Sequence, residues 1–182
     1  SSPITVESSG GFAFPMSGVQ IADGNGDRVP DIARIQPGAV VVAAGLGYGR
    51  FAEPLALVLP DFTLDDLQIA KAKLTDINGD GLADLVIERA SPGTCWYWLN
   101  LGNYTFSSRK RIVDLPATFS VNAAVRWADL NGNGTVDLVY ADSQAVPRLQ
   151  MVEVGELLGG GLMPNLLTQI ANGIGAVTVS YT

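Results

Sequence analysis

Apolar and polar positions alternate with period two over short runs along most of the chain, and this predicts strands rather than helices. Val19 and Ile21, Ala72 and Leu74, and Val125 and Trp127 each fall on one face of a strand. Apolar and β-branched runs follow at Ile32–Ile35, Leu85–Ile87 and Leu138–Tyr140, and further β-rich runs lie at Ala39–Ala44 and Cys95–Leu99. Leu64–Leu74 resists the alternation and reads also as a short helix. Near the end, Gly159-Gly160-Gly161 reads as a hinge. Leu166–Ala171 and Ala176–Tyr181 then flank Asn172-Gly173-Ile174-Gly175, which predicts a hairpin because Asn-Gly supplies the positive φ of a tight turn.

A repeat organises these runs. Ile21–Ile32, Leu74–Leu85 and Trp127–Leu138 align without gaps, and Asp23, Asp76 and Asp129 recur every 53 residues. A fixed period of this size signals a propeller, solenoid or array. A glycine turn leading to an aromatic recurs as well, at Gly47-Tyr48-Gly49-Arg50-Phe51 and Gly102-Asn103-Tyr104-Thr105-Phe106. Each unit reads strand, loop, strand, strand, turn, strand, which makes a four-stranded blade. The expected fold is all-β, a partial propeller of about three four-stranded blades. Residues 1–155 hold three repeats, and 156–182 hold the hinge and a C-terminal hairpin leading to a following domain.

Composition narrows the function. Hydrophobic residues make up 47% and charged residues 16% of 182 residues, with 21 Gly and 10 Pro, which suits one folded domain of short strands and turns. The net charge of −7 and pI of about 4.4 argue against nucleic acid as a partner. Eight of the 18 Asp and Glu lie in the three aligned loops. There is no His, so no Ser-His arrangement exists, and the single Cys, Cys95, makes no internal disulfide. No run of 18 apolar residues predicts a membrane span.

The aligned loops carry the chemistry. Ca²⁺ takes six to eight oxygen ligands, and a curled loop offers them at alternate positions. Position 1 is Asp23, Asp76 and Asp129; position 3 is Asn25, Asn78 and Asn131; position 5 is Asp27, Asp80 and Asn133. Val29, Leu82 and Thr135 offer backbone carbonyls at position 7, and Asp31, Asp84 and Asp137 stand at position 9. A lone Asp-x-Asn-Gly is an ordinary Asx-turn; three copies in register point to metal. An EF-hand would place Glu at position 12, where this chain has Arg34, Ile87 and Tyr140. Up to three Ca²⁺ are expected. The second loop should bind best, since it has three carboxylates and Gly81 where the first has Arg28, and the third has Asn133 in place of a carboxylate.

The loops and glycine turns resemble FG-GAP/VCBS repeats of integrin-type propellers. Leu46-Gly47-Tyr48-Gly49-Arg50-Phe51, Trp98-Leu99-Asn100-Leu101-Gly102 and the segment from Pro164-Asn165-Leu166-Leu167-Thr168 to Ala176 resemble the propeller-containing middle region of the B component of Tc insecticidal toxins and of SpvB-type virulence proteins. That resemblance implies a secreted, extracellular, non-enzymatic docking and scaffold module. Its partners would be the other blades of a parent protein and a toxin translocation component. The chain departs from the family at Ala39–Ala44, where an aromatic-rich strand is usual, and it lacks shell repeats, so alone it would encapsulate nothing. A carbohydrate-binding or adhesive propeller is the alternative, with Trp96, Tyr97 and Trp98 stacking on sugars. A hydrolase using paired carboxylates is disfavoured, because the clustered Asp residues already have a metal role. Three units do not close a ring, so exposed terminal faces and self-association are expected.

Overall fold

The computed structural model describes residues 12, 18–63, 71–91, 94–112, 115, 125–141, 148–158, 169–171 and 176–178. The period-two runs all pair as antiparallel meanders, the arrangement that short connections allow. The first sheet runs β1 (Val19–Ala22), β2 (Asp31–Gln36), β3 (Ala39–Ala43) and β4 (Leu55–Leu57) in chain order. The second repeats it with β5 (Lys71–Thr75), β6 (Asp84–Ser91), β7 (Thr94–Trp98) and β8 (Lys110–Ile112). The third has β9 (Val125–Ala128), β10 (Asp137–Ala141) and β11 (Leu149–Val152). One helical turn, α1 (Val154–Leu157), follows. The strands β12 (Gln169–Ala171) and β13 (Ala176–Thr178) pair as the expected hairpin.

The fold is therefore an all-β, partial propeller whose ring is not closed. Among the described residues the third sheet shows three strands, and α1 follows β11 where a glycine turn follows β3 and β7. One expectation is corrected. The helix reading of Leu64–Leu74 fails at its end, since Lys71–Thr75 pairs with β6 along its whole length. Residues 64–70, the Gly159–Gly161 hinge and the 172–175 turn lie outside the described residues.

Strand alternation decides the layering. Leu85 and Ile87 on β6 point toward the first sheet and pack with Ala33, Ile35, Val40, Val42 and Trp98. Val86 points the other way, with Cys95, Tyr97 and Ile112, to meet Val125, Leu138 and Tyr140 of the third sheet. Each interior sheet face thus belongs to a core shared with a neighbour, as blade stacking requires. A third cluster, Phe12, Ile32 and Ala43, lies on the outer face of the first sheet. Trp98 anchors the first interface. It is fully buried, meets Phe62 edge-on at 5.5 Å, and donates its indole N–H to the Pro60 carbonyl at 2.6 Å.

Replacing Trp98 with Ala is expected to cost about 3–5 kcal/mol, the range for removing a buried aromatic. Urea denaturation of the two proteins, compared at equal slope, measures it.

Candidate metal centre

Each loop leaves its sheet after the first strand and returns as the second. Sequence chemistry makes it curl: the position-1 carboxylate accepts main-chain amides ahead of it, an Asx-type closure. Asp76 accepts Gly79 at 2.7 Å, Asp80 at 3.2 Å and Gly81 at 2.8 Å. Asp23 accepts Gly26 at 2.7 Å and Arg28 at 2.8 Å, and Asp129 accepts Gly132 at 2.7 Å, Asn133 at 3.1 Å and Gly134 at 3.0 Å. Position 3 caps the amide of position 5, and position 5 caps that of position 7, in all three loops. In the first two loops the side chains at positions 3 and 5 touch, Asn25 to Asp27 at 3.0 Å and Asn78 to Asp80 at 2.9 Å.

The backbone of the three loops is the same. Position 4 has φ of 85°, 73° and 76° at Gly26, Gly79 and Gly132. Position 6 has φ of 65°, 86° and 89° at Arg28, Gly81 and Gly134. Only Arg28 carries a side chain there, in a region that costs L-residues roughly 1–2 kcal/mol.

Asp31, Asp84 and Asp137, at position 9, are buried rather than open to solvent. Asp84 accepts the Ile77 amide at 3.0 Å and the Asn100 amide at 2.7 Å. Asp31 accepts Gly24 at 3.0 Å and Gly45 at 2.8 Å, and the Tyr104 hydroxyl donates to it at 3.2 Å. Asp137 accepts Leu130 at 3.0 Å, but its Oδ1 is buried with no partner among the described residues. The partner it lacks is the amide that Gly45 and Asn100 supply at the end of the third strand; in the third sheet α1 follows there. Burial pushes the Asp84 carboxyl up from the usual 3.8 to about 7; the Asn100 and Ile77 amides pull against this, and Asp80 and Asp76 add to it. Burial, then the Asp31 charge and hydrogen bond, push Tyr104 up to about 12, so its hydroxyl stays a donor.

The donor set fits a hard cation: acid and amide oxygens at positions 1, 3 and 5, with a position-7 carbonyl and a position-9 carboxylate in the same loop. A carboxylate oxygen that accepts one N–H keeps a second lone pair. Among the described residues, however, no three His, Cys, Asp or Glu side chains stand together as a metal group would. The reason is visible in the loops, where the position-9 carboxylate is drawn to backbone amides and position 3 is Asn. One acidic residue was invisible to motif spacing. Glu153, just past β11, accepts the side-chain amides of Asn131 and Asn133, so a carboxylate reaches the loop whose position 5 has none.

Residues 76–140, which take in the second and third loops, match the model of the FG-GAP-like repeat family. No curated protein matches the chain. Among solved structures it is similar to the Tc holotoxin pore of Photorhabdus luminescens, with 21% identity and a TM-score of 0.57 over 75% of this chain and 6% of that one. It is similar to the TcdB2-TccC3 crystal structure, with 19% identity and a TM-score of 0.60 over 75% of this chain and 7% of that one. An Agrocybe aegerita lectin that recognises non-reducing terminal N-acetylglucosamine gives 24% identity and a TM-score of 0.52 over 71% of this chain and 36% of that one. At these identities the likeness establishes the fold. The chain spans about 6–7% of the toxin chains and 36% of the lectin.

The repeat's aromatics serve packing. Trp98 and Tyr97 are buried, and Trp96 lies under the Arg109 guanidinium at 4.6 Å. Trp96 is half-buried, so of the three it alone keeps exposed surface. The glycine turns recur as expected: Gly45 bridges Phe51 and Asn100 bridges Phe106. Tyr104 and Asn100 reach back to the first loop, Asn100 donating to the Gly24 carbonyl at 2.8 Å. The second and third loops also touch, since a Cβ on Gly79 would stand 2.7 Å from the Gly134 carbonyl.

Replacing Arg28 with Gly is expected to stabilise the protein by about 1 kcal/mol through relief of the left-handed backbone, read as a raised melting temperature. A second expectation concerns pH. Because the folded-state value of Asp84 lies above its unfolded value, its contribution is full below about pH 4 and is lost as pH rises to about 7. In chelator, stability should fall across that window by at most about 1.4 kcal/mol per pH unit. Asp84→Asn should flatten the slope in denaturant melts run at each pH.

Proposed function

We propose that this chain is a calcium-stabilised propeller segment acting as a non-enzymatic docking and scaffold module of a secreted toxin-complex protein. The observation that carries the calcium part is the threefold recurrence of one loop backbone, with oxygen-bearing side chains at the same positions each time. The FG-GAP-like repeat and the toxin-complex neighbours point to a structural module and support the scaffold part. No helix among the described residues is long and apolar enough to cross a membrane.

In this reading Asp76, Asn78, Asp80, the Leu82 carbonyl and Asp84 would hold one ion, with the equivalent residues holding two more. The bound cation supplies charge neutralisation and fixes loop shape; it does no chemistry on a substrate. The residues themselves link the sheets. The Asp23 carbonyl accepts the Ala83 amide of the next blade at 2.9 Å, so a stiffened first loop stiffens the contact between blades. Glu153 brings acidic charge to the third loop and offsets its Asn133. Docking on a translocation component would use the rim or a terminal face. An extracellular setting, with calcium near millimolar, lets even weak loops fill. The boundary between the three repeats and a following C-terminal unit near residue 156 belongs to the same proposal.

Titration calorimetry with Ca²⁺ is expected to show up to three sites, and saturating calcium to raise the melting temperature by mass action. Asp80→Ala should weaken the second site by roughly tenfold or more, since affinity tracks ligand charge. Absence of heat and of any thermal shift at millimolar calcium would sink the calcium reading.

A further inference from the structure

The first loop differs from the other two at its second position. Gly24 stands there, where the second and third loops carry Ile77 and Leu130. The space a side chain would take is filled from the next blade. A Cβ on Gly24 would stand 3.2 Å from Cε1 of Tyr104 and 3.3 Å from Oδ2 of Asp31. Tyr104 belongs to the glycine turn after β7 and lies 73 residues from Asp31 in sequence. The turn after β3 has Gly49 at the matching place, since Gly45 bridges Phe51 just as Asn100 bridges Phe106. A glycine in the loop of one blade and a tyrosine in the turn of the next thus fit each other, and the pair occurs once among the described residues.

The tyrosine holds a backbone that glycine adopts more easily. Its φ is 56°, beside 73° for Gly49. A bulky residue in the left-handed region persists only where its surroundings hold it there. Tyr104 is held by packing against the core shared by the two sheets and by the first loop. Its hydroxyl donates to Asp31 at 3.2 Å, and the Asn25 side chain hydrogen-bonds the same oxygen. Asp31 therefore has three donors among the described residues, the Gly24 and Gly45 amides and this phenol, where Asp84 has two. The same turn grips the loop's backbone. Asn100 donates its side-chain amide to the Gly24 carbonyl at 2.8 Å and its main-chain amide to Asp84 at 2.7 Å. One turn of the second blade thus touches positions 2, 3 and 9 of the first loop and position 9 of the second.

We propose that Tyr104 is a positioning residue for the cation site of the first loop, so that this site is complete only when the second blade is docked against it. The phenol aims the position-9 carboxylate and the position-3 amide from outside the loop, and a hydroxyl that both donates and accepts can hold the two at once. Groups behind a metal's ligands orient them, and losing one commonly costs roughly 10–100-fold in affinity. The position-9 carboxylates of the other two loops accept main-chain amides and no hydroxyl among the described residues, so the first site alone depends on this contact. The coupling is reciprocal: docking of the blade raises the loop's affinity, and a cation in the loop opposes separation of the blades by the same factor. The inference rests on the calcium reading and adds to it the dependence of one site on the neighbouring blade.

Titration calorimetry of the full chain with Ca²⁺ tests it. Tyr104→Phe keeps the ring and removes the hydroxyl; it should weaken one site at least about tenfold and leave the others unchanged. Asp27→Ala removes a carboxylate from the first loop and so identifies that site, and adding Tyr104→Phe to it should leave the remaining heats unchanged. Gly24→Ala crowds the ring from the loop side and should weaken the same site. In chelator, Tyr104→Phe should melt close to the wild-type chain, whereas its calcium-induced rise in melting temperature should shrink. The Ala83 amide, which donates to the Asp23 carbonyl across the blades, should exchange its hydrogen more slowly once calcium is added to the wild-type chain, and that protection should be lost in Tyr104→Phe. Three unchanged sites in Tyr104→Phe, or equal weakening of all three, overturns the inference and leaves the calcium reading standing. A wild-type chain whose calcium uptake survives Asp27→Ala in full overturns it as well, and a wild-type chain that takes up no Ca²⁺ overturns both.

Discussion

A buried carboxylate at the end of each loop holds the blade together. Asp84 lies at the start of β6 with no solvent exposure, and it joins the second residue of its own loop to the second residue beyond β7. Asp31 makes the same two ties in the first sheet. A buried carboxylate is costly unless it is hydrogen-bonded, so these amides are obligatory partners. The loop must curl to present the first amide, and the third strand must end on a glycine turn to present the second. Loop shape, strand register and turn position are thereby fixed by one group.

The third sheet shows what happens when one tie is missing. Asp137 retains the Leu130 amide, but α1 follows β11 and Oδ1 has no partner among the described residues. Buried ionic chemistry also joins the second and third sheets. Glu88 is fully buried, pairs with Lys73 at 2.7 Å and accepts the Trp127 indole N–H at 2.7 Å. Such a pair adds little net stability compared with apolar packing, but removing one partner leaves an uncompensated charge. It therefore acts mainly to fix how the two sheets meet.

Function follows from this division of labour. The sheets carry burial, and their faces are shared between neighbours, so a blade is stable only with another beside it. The loops sit at the ends of first strands, where successive loops touch, and the order of one loop is transmitted to the next blade. A cation in such a loop would act on the shape of the whole rim.

The sequence alone determined the strands, the 53-residue repeat and the three loops, because period-two alternation and Asx-turn chemistry are local. Val19 with Ile21 and Ala72 with Leu74 face as their alternation predicts, and the glycines at position 4 adopt the positive φ that the curl needs. Tertiary structure alone decided what each side chain does once neighbours arrive. Asp84 reads in sequence as one more oxygen ligand; packing of the sheets buries it and turns it toward two amides. Trp96 and Trp98 read in sequence more as strand packing than as a sugar platform, and tertiary structure places Trp98 against Phe62 and Trp96 under Arg109. Glu153 is 22 residues from Asn131, and nothing in its local sequence places it at the third loop. The limit is physical: alternation and turn propensity act over a few residues, whereas burial and charge pairing depend on which distant segments the stacked sheets bring together.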